Sequence, residues 1–160
     1  MLGAFSVAFF GHKDYFPKAK HEEKLKEIIK NLIDSNYFVE FLVGRNGEFD
    51  QFATSTVLRV KHNYWSKNSA LVWVMPYLSA EYRNNEEAYK NYYDEIEVCY
   101  KAEETHFKSA IRVRNHEMVD RADLIICYVN KKSGGAYEAV KYAEKMHKEI
   151  INLAVDENNF

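Results

Sequence analysis

The chain is 160 residues long and carries 22 basic and 24 acidic side chains, a formal charge of −2. With 47% hydrophobic and 15% aromatic residues it can build a core of its own, which excludes a disordered or collagen-like chain and removes the need for disulfides or a structural metal. A general nucleic-acid binder normally shows a basic excess; none is present, so no general nucleic-acid binding is expected, although the sum does not speak to a local patch.

The first apolar run, Ala4–Phe10, has strand length and lacks the basic residues that open a secretory leader. No run approaches the ~20 residues of a membrane span, so a cytoplasmic protein without membrane contact is expected. Residues 19–35 then place Leu25, Ile28, Ile29, Leu32 and Ile33 on one helical face. A strand over Tyr37–Val43 precedes a helix over 50–62, with Phe49, Phe52, Ala53, Val57 and Val60 on one side. Asn36 and Asn68 are predicted as left-handed helix stops. Another strand covers Ala70–Met75. The stretch from about 78 to about 104 exceeds ordinary loop length and predicts a short helix near Asn85–Glu97. A helix over 105–121, a strand over Asp123–Val129, a helix over 136–147 and a strand over Ile150–Ala154 complete the chain. The alternation predicts an α/β fold: a Rossmann-like, doubly wound, mostly parallel five-stranded sheet with helices on both faces. It forms one domain over residues 1–160 with a tyrosine- and acid-rich insert at 78–104.

Cys127 lies inside an apolar run and reads as core packing; there is no CxxC, no HExxH and no histidine cluster, so neither a metal nor a cofactor is expected. The glycines are more informative. Gly11, Gly44, Gly47, Gly134 and Gly135, with Pro17 and Pro76, all follow the ends of predicted strands. In a parallel sheet those ends share one edge, where ligands bind at the point at which strand order reverses. Glycine lets backbone amides approach a ligand there, and each such turn feeds a helix N-terminus, which favours anions.

Several side chains on this edge are candidates. Gly44-Arg45-Asn46-Gly47-Glu48-Phe49-Asp50 can form an anion-accepting turn, with Arg45 as a phosphate ligand; Asp50 either binds a ribose hydroxyl or serves as a helix N-terminal charge. Ser133-Gly134-Gly135 offers backbone donors to a phosphate. Glu138, in the following turn, either holds a ribose, acts as nucleophile or base at an anomeric carbon, or merely complements the helix dipole and pairs with Lys141. Arg114 and Asn115 fall within the apolar arc of their helix. A guanidinium facing the sheet must find a partner: a ligand, or one of Asp120, Asp123 and Asp50. Gly11-His12-Lys13 closes the first strand, with His12 either a phosphate donor or an ordinary loop histidine. The insert holds Tyr82, Tyr89, Tyr92, Tyr93 and Tyr100 among acids, as a lid whose tyrosines stack on a base or as a partner or homodimer surface.

Phe10-Gly11-His12-Lys13, Val43 through Asp50, Met75-Pro76-Tyr77, Arg114 through Met118, and Ala122 through Val129 ending in Gly134-Gly135-Ala136 occur in this order. In this the chain resembles the small bacterial and phage Rossmann-like proteins of the SLOG superfamily, which also contains the SMF/DprA proteins and the LOG phosphoribohydrolases. The resemblance implies binding of a nucleotide or nucleotide-derived ligand by Gly44, Gly47, Asp50, Arg114, Asn115, Gly134 and Gly135. Lys13 stands where that branch has arginine, keeping charge but losing bidentate geometry. The Gly134-to-Glu138 spacing is similar to that of LOG enzymes and nucleoside deoxyribosyltransferases but lacks the Gly-Thr step. The expected function is therefore a nucleotide sensor or sequestering protein. The alternatives are an N-glycosidic hydrolase or transferase using Glu138, and an interaction module using the insert.

Overall fold

The computed structural model describes residues 3–155. Six parallel strands form its sheet: β1 (Phe5–Gly11), β2 (Val39–Val43), β3 (Ser69–Met75), β4 (Glu95–Val98), β5 (Leu124–Tyr128) and β6 (Glu149–Asn152). Their order is β4-β3-β2-β1-β5-β6, so the chain reverses direction across the sheet between β1 and β5. The central strands are buried along almost their whole length, which is why they read as continuous apolar runs.

Alternate side chains feed two cores. Val7, Phe9, Val39, Phe41, Leu71 and Trp73 face α1 (Ala19–Ser35) and α2 (Glu48–Asn63). Ala8, Phe10, Leu42, Val72, Ile125 and Cys127 face α6 (Phe107–Arg121) and α7 (Gly135–Lys145). The α/β, doubly wound expectation holds, with six strands in place of five. The added strand lies in the 78–104 segment, which folds as α3 (Ala80–Asn84), α4 (Glu86–Tyr92), β4 and α5 (Tyr100–Glu103). Its sequence, Glu95-Ile96-Glu97-Val98, alternates acid and apolar because it is an edge strand only half buried, and it extends the sheet by pairing with β3.

The helix stops also differ from expectation. Asn36 is extended, and its side-chain amide donates to the Leu32 carbonyl instead. Asn68 donates to the carbonyls of Ile33 and Asn36, tying two loops together. The left-handed positions are Trp65 (φ 51°) after α2 and His147 (φ 57°) after α7. Among the described residues, no helix is long and apolar enough to cross a membrane.

Candidate functional site

A cleft of about 370 Å³ opens at the carboxyl ends of β1, β2 and β5, where the strand order reverses. It is lined by the β1–α1 turn (Gly11, His12, Lys13, Asp14), the β2–α2 turn (Gly44, Asn46, Asp50), the β5–α7 turn (Lys131, Ser133, Gly134, Gly135, Ala136) and one face of α6 (Ile111, Arg114, Asn115, Met118). Ten of the fourteen residues singled out by sequence are in this lining.

The three turns are held against one another. Glu48 N–H donates to the Lys13 carbonyl at 3.0 Å. Gly47 lies so close to Lys13 that a Cβ on it would stand 2.5 Å from the lysine Cα. His12 Nε2 accepts the backbone N–H groups of Asn130 (3.1 Å) and Lys131 (3.3 Å). That places the imidazole proton on Nδ1 and makes His12 an acceptor within the protein, not a phosphate donor at Nε2. Burial, then the charge of Lys131, push its pKa below the usual 6.5, with Asp14 opposing. Lys131 pairs with Asp14 at 2.6 Å.

Gly134 N-caps α7 with φ 97°, backbone that only glycine adopts easily, and no side chain caps the first turn. A Cβ on Gly134 or Gly135 would meet open space. The amides of this turn are therefore left available at the cleft.

Arg114 is 1% exposed. Its NH1 donates to the strand-end carbonyls of Gly44 (3.1 Å) and Val74 (2.9 Å), and its Nε donates to Asn115 Oδ1 (2.9 Å). Asp120, Asp123 and Asp50 are not its hydrogen-bond partners; backbone carbonyls take that place, so the guanidinium ties α6 to the ends of β2 and β3. Burial lowers its pKa to about 10, partly offset by the charge of Asp50. Asp50 accepts the Asn46 N–H at 2.7 Å, so it does close the first turn of α2. It also lines the cleft, where burial raises its pKa to about 6 against the Asn46 bond and Arg114. Arg114 and Asn115 are both buried, as their place in the apolar arc implied.

Four of the sequence candidates stand outside the lining. Pro76 follows β3 without reaching the cleft, and Gly47 only backs Lys13. Glu138 is exposed, and Lys141 pairs with Glu144 instead. Arg45 turns toward the insert: it donates to Glu81, Tyr89 and Tyr93 and lies 4.9 Å from the Tyr89 ring centroid and 5.7 Å from that of Trp73. With Arg45 so engaged, Tyr82, Tyr89 and Tyr93 pack on Trp73 and no insert residue lines the cleft, so the tyrosines are not stacked over it as a lid. Sequence reading passed over Asp14, Asn46, Ile111, Met118 and Lys131. The first two and Lys131 adjoin glycine turns already singled out; Ile111 and Met118 share the α6 stripe with Arg114.

No family model matches the chain, and no curated protein matches it in sequence. Solved structures do. DNA processing protein A (DprA) from Streptococcus pneumoniae superposes with a TM-score of 0.62 at 14% identity, over 91% of this chain and 49% of that one. DprA from Helicobacter pylori, described in its single-stranded DNA binding mode, gives 0.61 at 14% identity, over 91% and 63%. This chain has the DprA fold. It spans about half of the first DprA and under two thirds of the second, and the SLOG resemblance holds at the level of fold. The expectation of no general nucleic-acid binding is corrected by the Helicobacter pylori DprA, a protein of similar fold that binds single-stranded DNA. Net charge was the wrong measure: it sums the whole surface, whereas a ligand meets one part of it, and here Lys13, Lys131 and Arg114 gather at one cleft.

Proposed function

We propose that the cleft binds a nucleotide or nucleotide-derived ligand, its phosphate at the first turn of α7 and its sugar toward Asp50, and that the protein acts as a sensor or sequestering protein for it. The observation that carries this reading is the opening of the uncapped α7 N-terminus into the cleft that Asp50 and Lys13 also line. Lys13 makes no ion pair among the described residues and is free to meet a phosphate; Asp50, ionised above about pH 6, can accept a hydroxyl. A nucleotide within single-stranded DNA presents the same phosphate and sugar, and the DNA-binding neighbour of this fold supports including it. The position of Glu138 lends no support to N-glycosidic chemistry.

The test is a thermal-shift screen with nucleoside monophosphates, cyclic and ADP-ribose-derived nucleotides and short single-stranded DNA. A ligand at a hundredfold its Kd adds ~2.7 kcal/mol of stability. Stabilisation that Asp50→Asn weakens supports the reading; no stabilisation by any member of the panel overturns it.

A further inference from the structure

Two polar side chains in the cleft wall are nearly buried and only half satisfied. Asp50, in the first turn of α2, is 7% exposed, and Asn115, on α6, is 8% exposed. Both line the cleft. Asp50 Oδ2 accepts the Asn46 N–H, and its Oδ1 has no hydrogen-bond partner among the described residues. Asn115 Oδ1 accepts Arg114 Nε at 2.9 Å. A guanidinium only donates, so the amide oxygen must face it and the amide nitrogen must face away. That nitrogen, Nδ2, also lacks a partner among the described residues. Neither atom is sealed inside the protein, so each opens on the cleft that its residue lines. The wall therefore holds one fixed acceptor and one fixed donor beside Arg114, the donor's residue bonded to it and the acceptor acting on its charge.

The rest of the lining leaves this pair a task of its own. Asp14 and Lys131 are paired with each other, and His12 Nε2 is occupied by backbone N–H groups. The α7 turn and Lys13 suit a phosphate, whereas the Asp50 carboxylate repels one. Arg114, 1% exposed and bonded to two carbonyls, offers the cleft almost no surface to counter that repulsion. A neutral group that donates to a carboxylate and accepts from an amide fits here, and two adjacent hydroxyls do both. The exposed rings of the same edge, Phe16, Tyr77, Tyr100 and Phe107, all stand outside the lining, so discrimination falls to the polar wall. We propose that Asp50 Oδ1 and Asn115 Nδ2 together hold the vicinal hydroxyls of a ribose, so that the cleft selects a ribonucleotide with a free 2′,3′-diol over its deoxy counterparts. This rests on the nucleotide reading of the cleft and narrows it. A deoxy sugar leaves one of the two nearly buried groups unmet, and a site built to hydrogen-bond a hydroxyl rejects the analogue that lacks it.

The experiment compares, by calorimetry, binding of the four common ribonucleoside 5′-monophosphates with that of their 2′-deoxy and 3′-deoxy counterparts, at a pH well above the Asp50 pKa of about 6. The protein is expected to bind at least one ribonucleotide about 5- to 100-fold more tightly than either deoxy form. Asn115→Ala is expected to shrink the discrimination against one deoxy form to within about twofold and to keep that against the other; Asp50→Asn shrinks the other. Asp50→Asn keeps the size of the side chain and, through its carbonyl, the Asn46 bond, so it reports even where Asn115→Ala, which deprives Arg114 of an acceptor, fails to fold. Equal binding of ribo and deoxy forms by the unsubstituted protein overturns this proposal and leaves the nucleotide reading standing. So does discrimination that Asp50→Asn leaves intact against both deoxy forms. Failure of every monophosphate, ribo and deoxy, to bind removes both.

Discussion

A Cβ on Gly44 would stand 2.8 Å from the guanidinium carbon of Arg114, so that position is glycine because a cation lies flat against the backbone. Gly44→Ala is expected to push the guanidinium off the Gly44 and Val74 carbonyls, at a cost of about 1–3 kcal/mol in denaturant unfolding, with weaker ligand binding as well. His12 sets a pH dependence. Its pKa in the folded chain is below 6.5, so just below that value the unfolded chain holds a proton that the folded chain refuses. Its contribution is complete above pH 6.5 and lost as the pH falls through the lowered value. His12→Gln, which keeps an acceptor and does not titrate, is expected to reduce the fall in Tm over that range. Part of the slope survives in His116, whose pKa burial also lowers. At this scale the sequence revealed buried Arg114 and Asn115, because an ionic residue on an apolar arc is visible as an exception. It did not reveal the direction of Arg45. A cation in a glycine turn has the same local sequence whether it meets a phosphate or an aromatic cage built by Trp73, Tyr89 and Tyr93, twenty-eight to forty-eight positions away.

The elements follow hydrophobic periodicity closely where they are central. Helix α1 has the predicted bounds, and the five strands read from apolar runs all lie within two residues of their place at either end. Periodicity fails in the insert, because an edge strand of four residues with alternating glutamates carries no apolar run, and a short helix beside it supplies the stronger pattern. The insert is fastened by Arg45, a non-glycine residue at φ 54°. Such a conformation costs on the order of 1–3 kcal/mol, which the bonds to Glu81, Tyr89 and Tyr93 and the two ring contacts offset. Arg45→Ala is expected to speed backbone amide exchange across α3 and α4 by tenfold or more while leaving ligand affinity within about twofold. Equal protection in both proteins would mean that the aromatic packing on Trp73 alone holds the insert.

In the whole molecule the edge that carries the cleft was legible because glycines and prolines gather after strand ends, and parallel topology brings those ends together. The charge of the complete chain misled, since most ionic side chains stand away from the cleft. With few cations there, binding of a mononucleotide is expected to show a shallow dependence on salt, a log–log slope of about −2 or less in magnitude. Lys13→Ala is expected to reduce that slope by about 1, measured by titration at several salt concentrations. The cleft walls come from separate stretches of chain, yet the β1 turn is bonded to both others and α6 to the β2 turn. Amide, imidazole and guanidinium staples join them before any ligand arrives. Such a receptacle has little left to organise, so binding of the proposed ligand is expected to leave the backbone nearly where it is. A downstream reader of this protein would then have to sense the guest itself, or the lip around it, in place of a swing of the host.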